Sequence, residues 1–522
     1  MMKCSKLAIS LIASLFLLST SAVALAQSEQ QASTAARVTG TATASPTAPA
    51  IHTKITSMDV GNGHAVFIRA DATLSAWGWN RDGQLGLGTV YDQYLPAYIP
   101  DMQNVKQAAA GFACSLVLLQ DGTVWRSGNG CPGSERATDA NNLIYQKQNG
   151  LPPKVQSISL GGAAALALLP DGTVWSWGND LLHSETTEAA IPVQVPGLSD
   201  IIAVDAGDYH AMALRKDGTV WTWGYNYYGE IGNGSKELQF LPQQVKGLSK
   251  VTRIAAAKYV SAALQSDGTV WAWGKNNSGQ FGPAGKKSTV SVKPLQVKGF
   301  NHIVSLKAGP SHLLGLRSDG TVWQAGGTPA AMNRVLQVSS LSHITSIAAG
   351  TDSSLALDKA GKLYTWGEAA LPGAGHYFSE ESKGKPELVP DPIRFVVNGQ
   401  PVSMPLSAGY YKGTLMVPRS ALWKELGVNV SYSTTKPDPN SYNASYSTWT
   451  LTRGDQSVAF FQTSDGPQVT VNGIKMTNPP EIVVFGASSS SITMLPFQFV
   501  CRSLGIASHW DASTRTIQFH LK

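Results

Sequence analysis

Five residues, Asp-Gly-Thr-Val-Trp, stand unchanged at Asp121, Asp171, Asp217, Asp267 and Asp319. A catalytic motif is needed once, whereas a structural module is written once per copy, so the repetition constrains the fold before anything else does. The glycine closing each unit of the Asp-Gly-Thr-Val-Trp-x-Trp-Gly kind falls at Gly78, Gly128, Gly178, Gly224, Gly274, Gly326 and Gly367, giving spacings of 50, 50, 46, 50, 52 and 41. The first copy, DATLSAWG, and the seventh, AGKLYTWG, are degenerate.

Each copy carries three further pieces in fixed order. A Pro-x-x-Val/Ile segment recurs at Pro96, Pro152, Pro192, Pro242, Pro294 and Pro386, with Val335 to Val338 standing in once. An Ile/Val-rich stretch ending near Ala-Gly follows, as in VDAG (Val204 to Gly207), and then an alternating run such as HAMAL (His210 to Leu214). All four pieces have strand length, and Asp-Gly supplies the positive φ of a tight hairpin. The sequence therefore predicts a mainly β chain, a seven-bladed β-propeller of four-stranded antiparallel blades over residues 51–390. Residues two apart in a strand share a face, so Trp175 and Trp177, Trp221 and Trp223, and Trp271 and Trp273 project together. A buried indole hides about 150 to 250 Å², worth roughly 4 to 6 kcal/mol as an upper bound, and these tryptophans are assigned to the core. Three strand pieces precede the first Trp-Gly and a lone PELV (Pro386 to Val389) follows the last, so the final piece is expected to complete the first blade.

Stretches such as AGDYHAMALRKDGTVWTWGYNYYGEIGNG (Ala206 to Gly234) resemble the regulator of chromosome condensation repeat, whose members form seven-bladed propellers. The resemblance covers Ile51 to about Pro390. Its histidine column holds His64, His210 and His312 but becomes Cys114, Ala164, Val260 and Ser353 elsewhere, and its Asn-x-x-Gly-Gln-Leu-Gly tail occurs at Asn80, Asn226 and Asn276. The family implies structural roles for the three histidines, so no metal site is assigned to them.

Beyond Pro390 a different duplication begins. VNG at Val397 to Gly399 returns at Val471 to Gly473, and VPRSALWKELG (Val417 to Gly427) is echoed by LPFQFVCRSLG (Leu495 to Gly505). Pro in the first turn and Gly nine residues later predict one short helix in each half, followed by a strand ending at Tyr432 or Trp510. Residues 391–522 are similar to the copper amine oxidase N-terminal-like, or stalk, domain found on secreted proteins of spore-forming Gram-positive bacteria. That makes a small α+β domain of two similar halves. The segment offers only Cys501, His509 and His520 as soft ligands, so no copper site is expected.

The N-terminus reads as a targeting segment. Lys3 and Lys6 precede the apolar run Leu7 to Leu18, and Ala24-Leu25-Ala26 is a signal-peptidase pattern, so residues 1–26 are expected to be removed. Residues 27–50, rich in Ala, Ser, Thr, Gln and Pro, read as a flexible linker. Of the remaining Cys114, Cys131 and Cys501, buried free thiols are the favoured reading and a Cys114–Cys131 bridge the alternative. Charged residues make up 14% and the formal net charge is +6 without a basic run, which argues against a nucleic-acid partner. No later apolar run is long enough for a bilayer span.

The search for chemistry yields no catalytic residue, no cofactor site and no metal site. GPAGKKST (Gly282 to Thr289) fails the phosphate-loop spacing, and Arg453-Gly454-Asp455 is expected to turn a hairpin. What varies between repeats is the segment after each Trp-Gly, and variable loops on a rigid scaffold are where binding resides. The first such loop carries Trp79, Tyr91 and Tyr94 and the fourth Tyr225, Tyr227 and Tyr228, which makes these six the candidate partner-binding residues. The chain reads as a secreted, monomeric, non-enzymatic protein whose propeller recognises a protein or cell-wall glycan, extracellular and associated with the wall through such a partner. Family members in eukaryotic nuclei act as exchange factors on a small GTPase, a role at odds with export. A secreted bacterial propeller of the same repeat type inhibits β-lactamases, so enzyme inhibition is the second reading and a polysaccharide-active enzyme the third.

Overall fold

The alternation written into each repeat becomes a four-stranded antiparallel sheet, and the computed structural model sets seven such sheets in a ring. It describes residues 54–99, 101–132, 140–162, 164–178, 191–285, 288–367, 385–389, 394–401, 409–411, 414–418, 421–435, 446–463, 466–477, 483–485, 492–511 and 516–521. Blade 4 shows the pattern. Ile201–Ala206, His210–Arg215, Val220–Gly224 and Gln239–Gln244 pair in chain order, with Ala211 opposite Trp223 and Ala213 opposite Trp221. The first strand of every blade is innermost, and these strands contact one another around the ring, Ile344–Ala349 of blade 7 meeting Ile55–Val60 of blade 1.

The Asp-Gly-Thr motif is the turn between the second and third strands. Asp217 Oδ1 accepts from the Thr219 amide at 2.9 Å and from its hydroxyl at 2.6 Å, while Gly218 takes a φ of +81°. Asp121, Asp171, Asp267 and Asp319 hold their threonines the same way, and these bonds draw each carboxyl below its ordinary range. Five identical words are thus five copies of one turn.

The tryptophan pairs divide. Trp177, Trp223 and Trp273 are buried, as are Trp77 and Trp366, but Trp125, Trp175, Trp221, Trp271 and Trp323 are only half-buried, so the core expectation holds for one member of each pair. The outer members lie nearer the turn, where Arg215 covers Trp221 at 4.5 Å and Arg317 covers Trp323 at 3.8 Å. The buried members join blades. Trp223 packs among Leu166 and Leu168 of blade 3, Trp273 against Met212 and Leu214 of blade 4, and Trp77 against Leu355 and Leu357 of blade 7.

Ring closure differs from the sequence expectation. Glu387–Leu388 pairs with Leu363–Gly367 inside blade 7, and blade 1 completes itself with Gln93–Ile99. The Pro-x-x-Val piece is the fourth strand of the blade before it, so each blade is one continuous stretch. Blade 2 departs once more, taking Gln146–Lys147 as its outer strand in place of the Pro152 segment.

From Arg394 onward the chain forms three other sheets. The helices Ala421–Glu425 and Phe497–Ser503 end at Gly427 and Gly505, whose φ values are +70° and +63°, as the capping signals predict. Asn398-Gly399 and Asn472-Gly473 turn hairpins with positive φ at both residues, and Gly454-Asp455 turns the one between Tyr446–Arg453 and Gln456–Thr463. Tyr432 lies within Asn429–Thr435 rather than at its end. The halves interleave, Arg394–Val397 pairing in parallel with Thr516–Phe519 and Thr414–Pro418 antiparallel to Ile492–Pro496, around Trp423, Phe460 and Phe497. Cys501 is a buried free thiol pushed up to about 12 by desolvation. Cys114 and Cys131, expected to be free, form a disulfide across the second blade's loop.

Candidate functional site

One face of the ring carries the repeated turns; the other carries the loops before each second strand and after each third strand. The loop after Trp223 is built by Asn226. Its Oδ1 accepts from the Ile231 amide at 2.9 Å and its Nδ2 donates to the Ser235 and Glu237 carbonyls. Asn80 and Asn276 organise the corresponding loops of blades 1 and 5 the same way. Tyr225 donates its amide to the Tyr209 carbonyl, tying the long loop to the short turn beside it.

This scaffold gathers five tyrosines from blades 4 and 5. Ring centroids are 5.5 Å apart for Tyr225 and Tyr227, 6.0 Å for Tyr209 and Tyr225, 5.6 Å for Tyr209 and Tyr259, and 4.9 Å for Tyr228 and Tyr259. Lys275 Nζ sits 5.0 Å from the Tyr228 ring and 5.1 Å from Tyr259, and Lys258 Nζ lies 5.5 Å from Tyr259. Tyr227 is 59% exposed and crowns the cluster. Two acids flank it. Burial raises the Asp208 carboxyl against the pull of Lys258, and burial pushes Glu230 up to about 7 although the Tyr228 amide donates to it.

Of the six residues read from the sequence, Tyr225, Tyr227 and Tyr228 come together. Trp79, 42% exposed, lies against Gly63 on blade 1, where Tyr91 is half-buried; neither has a ring contact with the tyrosine cluster among the described residues. Tyr94 is in the strand Gln93–Ile99, and its side chain lies outside the described residues. Sequence reasoning missed Tyr209, Tyr259, Lys258 and Lys275. The signal was there: Tyr209 and Tyr259 share the column before His210 and Val260, and Lys275 shares the post-glycine column with Trp79 and Tyr225. Phe112, 56% exposed, stands at the channel mouth on the same face.

The inner strands enclose a polar channel of about 350 Å³. Asp59 accepts from the Ala110 amide at 3.0 Å and Asp205 from the Ala256 amide at 2.9 Å, each reaching the next blade. Burial raises both carboxyls and the charge of Lys307 opposes it, and each carboxyl fastens its blade to the next along the channel wall.

The family model for the RCC1-like domain matches residues 132–410, and two models of the regulator of chromosome condensation (RCC1) repeat match residues 55–84 and 73–118. The copper amine oxidase N-terminal domain matches residues 396–519. The Ultraviolet-B receptor UVR8 of Arabidopsis thaliana is 33% identical over 81 residues, which are 15% of this chain and 18% of the receptor, so the chain spans under a fifth of that relative's length. Human WBSCR16 superposes with a TM-score of 0.54 at 20% identity, over 63% of this chain and 96% of that one. Prp20p from Saccharomyces cerevisiae, described with its binding to Gsp1p and histones, gives 0.54 at 22% identity over 65% and 88%. The same yeast protein bound by Kap60 gives 0.54 at 22% over 68% and 90%. At these identities the structural likeness concerns the fold.

Proposed function

We propose that this chain, which belongs to the RCC1-like domain family, is an exported, non-enzymatic binding protein that holds a protein partner against the tyrosine cluster of blades 4 and 5. The observation that carries this reading is the run of touching rings from Tyr227 through Tyr225, Tyr209 and Tyr259 to Tyr228, with two lysines seated on it. Tyrosine offers large, rigid contact area at low entropic cost, and such clusters dominate binding energy at protein interfaces. Tyr209 and Tyr259 cover each other's faces and lysines cover Tyr228 and Tyr259, which leaves little open ring face for a sugar and favours a protein with acidic groups at its rim. The yeast propeller's binding to Gsp1p and histones is a precedent for the scaffold, without naming this chain's partner.

Export is supported by the N-terminal cleavage pattern and by the Cys114–Cys131 disulfide, since such bonds persist in oxidising compartments. Residues 391–522 then serve as a stalk that holds the propeller away from its attachment. The test is capture by the immobilised full chain from culture supernatant, beside a glycan array. A single captured protein is expected, with affinity falling at least tenfold in Tyr227→Ala while thermal stability stays within about 0.5 kcal/mol, as at other surface positions. Glycan signal without a captured protein would overturn the protein-partner reading, and turnover of a bound glycan would overturn the non-enzymatic one. If the captured protein is an enzyme that loses activity in the complex, the binding is inhibitory.

A further inference from the structure

Three histidine–serine pairs join neighbouring blades beneath the loop face, and they are completed differently. Between blades 1 and 2, His64 Nε2 lies 2.9 Å from Ser115 Oγ, whose hydroxyl donates to the Gln84 carbonyl at 2.7 Å. Between blades 4 and 5, His210 Nε2 lies 2.8 Å from Ser261 Oγ, which donates to the Glu230 carbonyl at 2.8 Å, and Trp273 Nε1 donates to that same carbonyl at 2.6 Å. A hydroxyl has one proton to give, so in both pairs the ring donates from Nε2 and Nδ1 is left a bare acceptor. Nδ1 of His64 and of His210 is indeed buried without a partner. In both places a glycine-containing turn of the chain, residues 80–86 or 226–232, roofs the pair and presents a backbone carbonyl inward.

The third pair lacks that roof. His312 Nε2 lies 2.9 Å from Ser354 Oγ, yet no carbonyl among the described residues accepts from Ser354. The connection that should supply one, residues 327–334, reads GTPAAMNR and carries no Asn-x-x-Gly-Gln turn. A crevice of about 320 Å³ opens there, lined among others by Ser311, His312, Gln324, Met332 and Ser354. Gln324 Oε1 accepts from Trp366 Nε1 at 2.9 Å, replacing the carbonyl that serves Trp273, so the serine hydroxyl, able to donate to His312 Nε2 while no carbonyl is present, is the group left to turn toward an incoming acceptor, as the serines of the two roofed pairs do. Burial keeps His312 neutral, holding it at about 4.

We propose that the crevice between blades 6 and 7 seats a glycine-containing turn of a partner protein, whose backbone carbonyl accepts from Ser354 as Gln84 and Glu230 accept within the chain. The molecule supplies the template for its own ligand. Two equivalent junctions are already filled by such a turn, and the open one keeps their histidine and serine. The volume, at the lower end of ligand pockets, suits a turn and not a helix. Met332, 49% exposed, adds an apolar lip. This site is separate from the tyrosine cluster.

The probe is a cyclised peptide with the sequence of residues 226–234, titrated into the full chain by calorimetry. Saturable 1:1 binding is expected, weakened about fivefold in Ser354→Ala, the loss of one hydrogen bond. Met332→Trp, a change at an exposed rim position, blocks the mouth and abolishes binding even if the serine variant folds poorly. Tyr227→Ala, which tests the other surface, leaves the peptide's affinity unchanged. The proposal is overturned by no saturation at millimolar peptide, or by equal binding to the parent and both crevice variants. It also fails if binding appears only after deletion of residues 368–384, because the chain would then fill its own seat.

Discussion

Glu230 occupies a place that its sister turns give to glutamine. Gln280 accepts from the Ser278 amide through Oε1 and donates through Nε2 to the Lys275 and Pro310 carbonyls. Glu230 keeps the first bond, from the Tyr228 amide at 2.8 Å, but a carboxylate has no hydrogen to donate. Its raised value of about 7 means that the folded chain holds a proton that the unfolded chain releases near 4.5. The cost to stability is therefore absent below about pH 4.5 and fully present above pH 7. Glu230→Gln is expected to stabilise the chain by roughly 3 to 4 kcal/mol at pH 8 and by little at pH 4.5, on the scale of about 1.4 kcal/mol per pH unit. Urea unfolding at both pH values checks this, and an equal gain at both would refute it. The glycines of the repeated turn make a second test. At Gly268, with φ +80°, an added Cβ would stand 2.9 Å from the backbone Cα of His302, so Gly268→Ala should cost about 1 to 3 kcal/mol in the same assay. The turn was legible in the letters because Asp, Gly and Thr each have a local reason to be there. The acid in a glutamine slot was not, since its burial is decided by the neighbouring blade.

Strands were legible because alternation and Asp-Gly punctuation are local, but the point where one blade ends was not. A cyclic repeat reads the same from any starting piece. Only strand pairings, of Gln93–Ile99 with the first Trp-Gly strand and of Glu387–Leu388 with the last, show that the Pro-x-x-Val strand closes the blade before it. The same limit explains the tyrosines. Tyr225, Tyr227 and Tyr228 are adjacent in one loop, whereas Tyr259 reaches Tyr209 and Tyr228 across a blade boundary. The Cys114–Cys131 bridge ties a second strand's start to the loop after the third, its partners 17 positions apart in the chain. Serine at both positions should lower stability by about 2 to 4 kcal/mol, the range for loops of this size. Chemical denaturation of the oxidised parent and the double variant measures it, and identical midpoints would show that the loop is held by packing alone.

Around the ring, five of the seven blades bury the tryptophan before their closing glycine against the preceding blade, Ser127 and Ala325 standing in for it in blades 2 and 6, and the seam between blades 7 and 1 follows the rule. Trp77 packs with Leu355, Leu357 and Val389, and the Thr351 amide donates to the Gly61 carbonyl just as the Asn62 amide donates to Gly111 at the first junction. A chain ending at residue 385 loses Glu387–Leu388 and Val389 and should melt well below one ending at residue 391. Equal melting temperatures would mean that the outer strand of blade 7 does not support the seam. Three of the seven junctions carry a buried histidine. His64, His210 and His312, held neutral at about 4, 3 and 4 mainly by desolvation, give stability that is whole above pH 6.5 and falls as pH drops toward 4. Because no sheet is shared between the two ends of the ring, the chain has no privileged beginning. A circular permutant opened between blades 1 and 2, with its old ends bridged by a flexible tether, would inherit seven intact blades and seven unchanged junctions. In the same way a lineage could gain or shed one blade by duplicating or deleting a single run of about fifty codons, without rewriting any of the others.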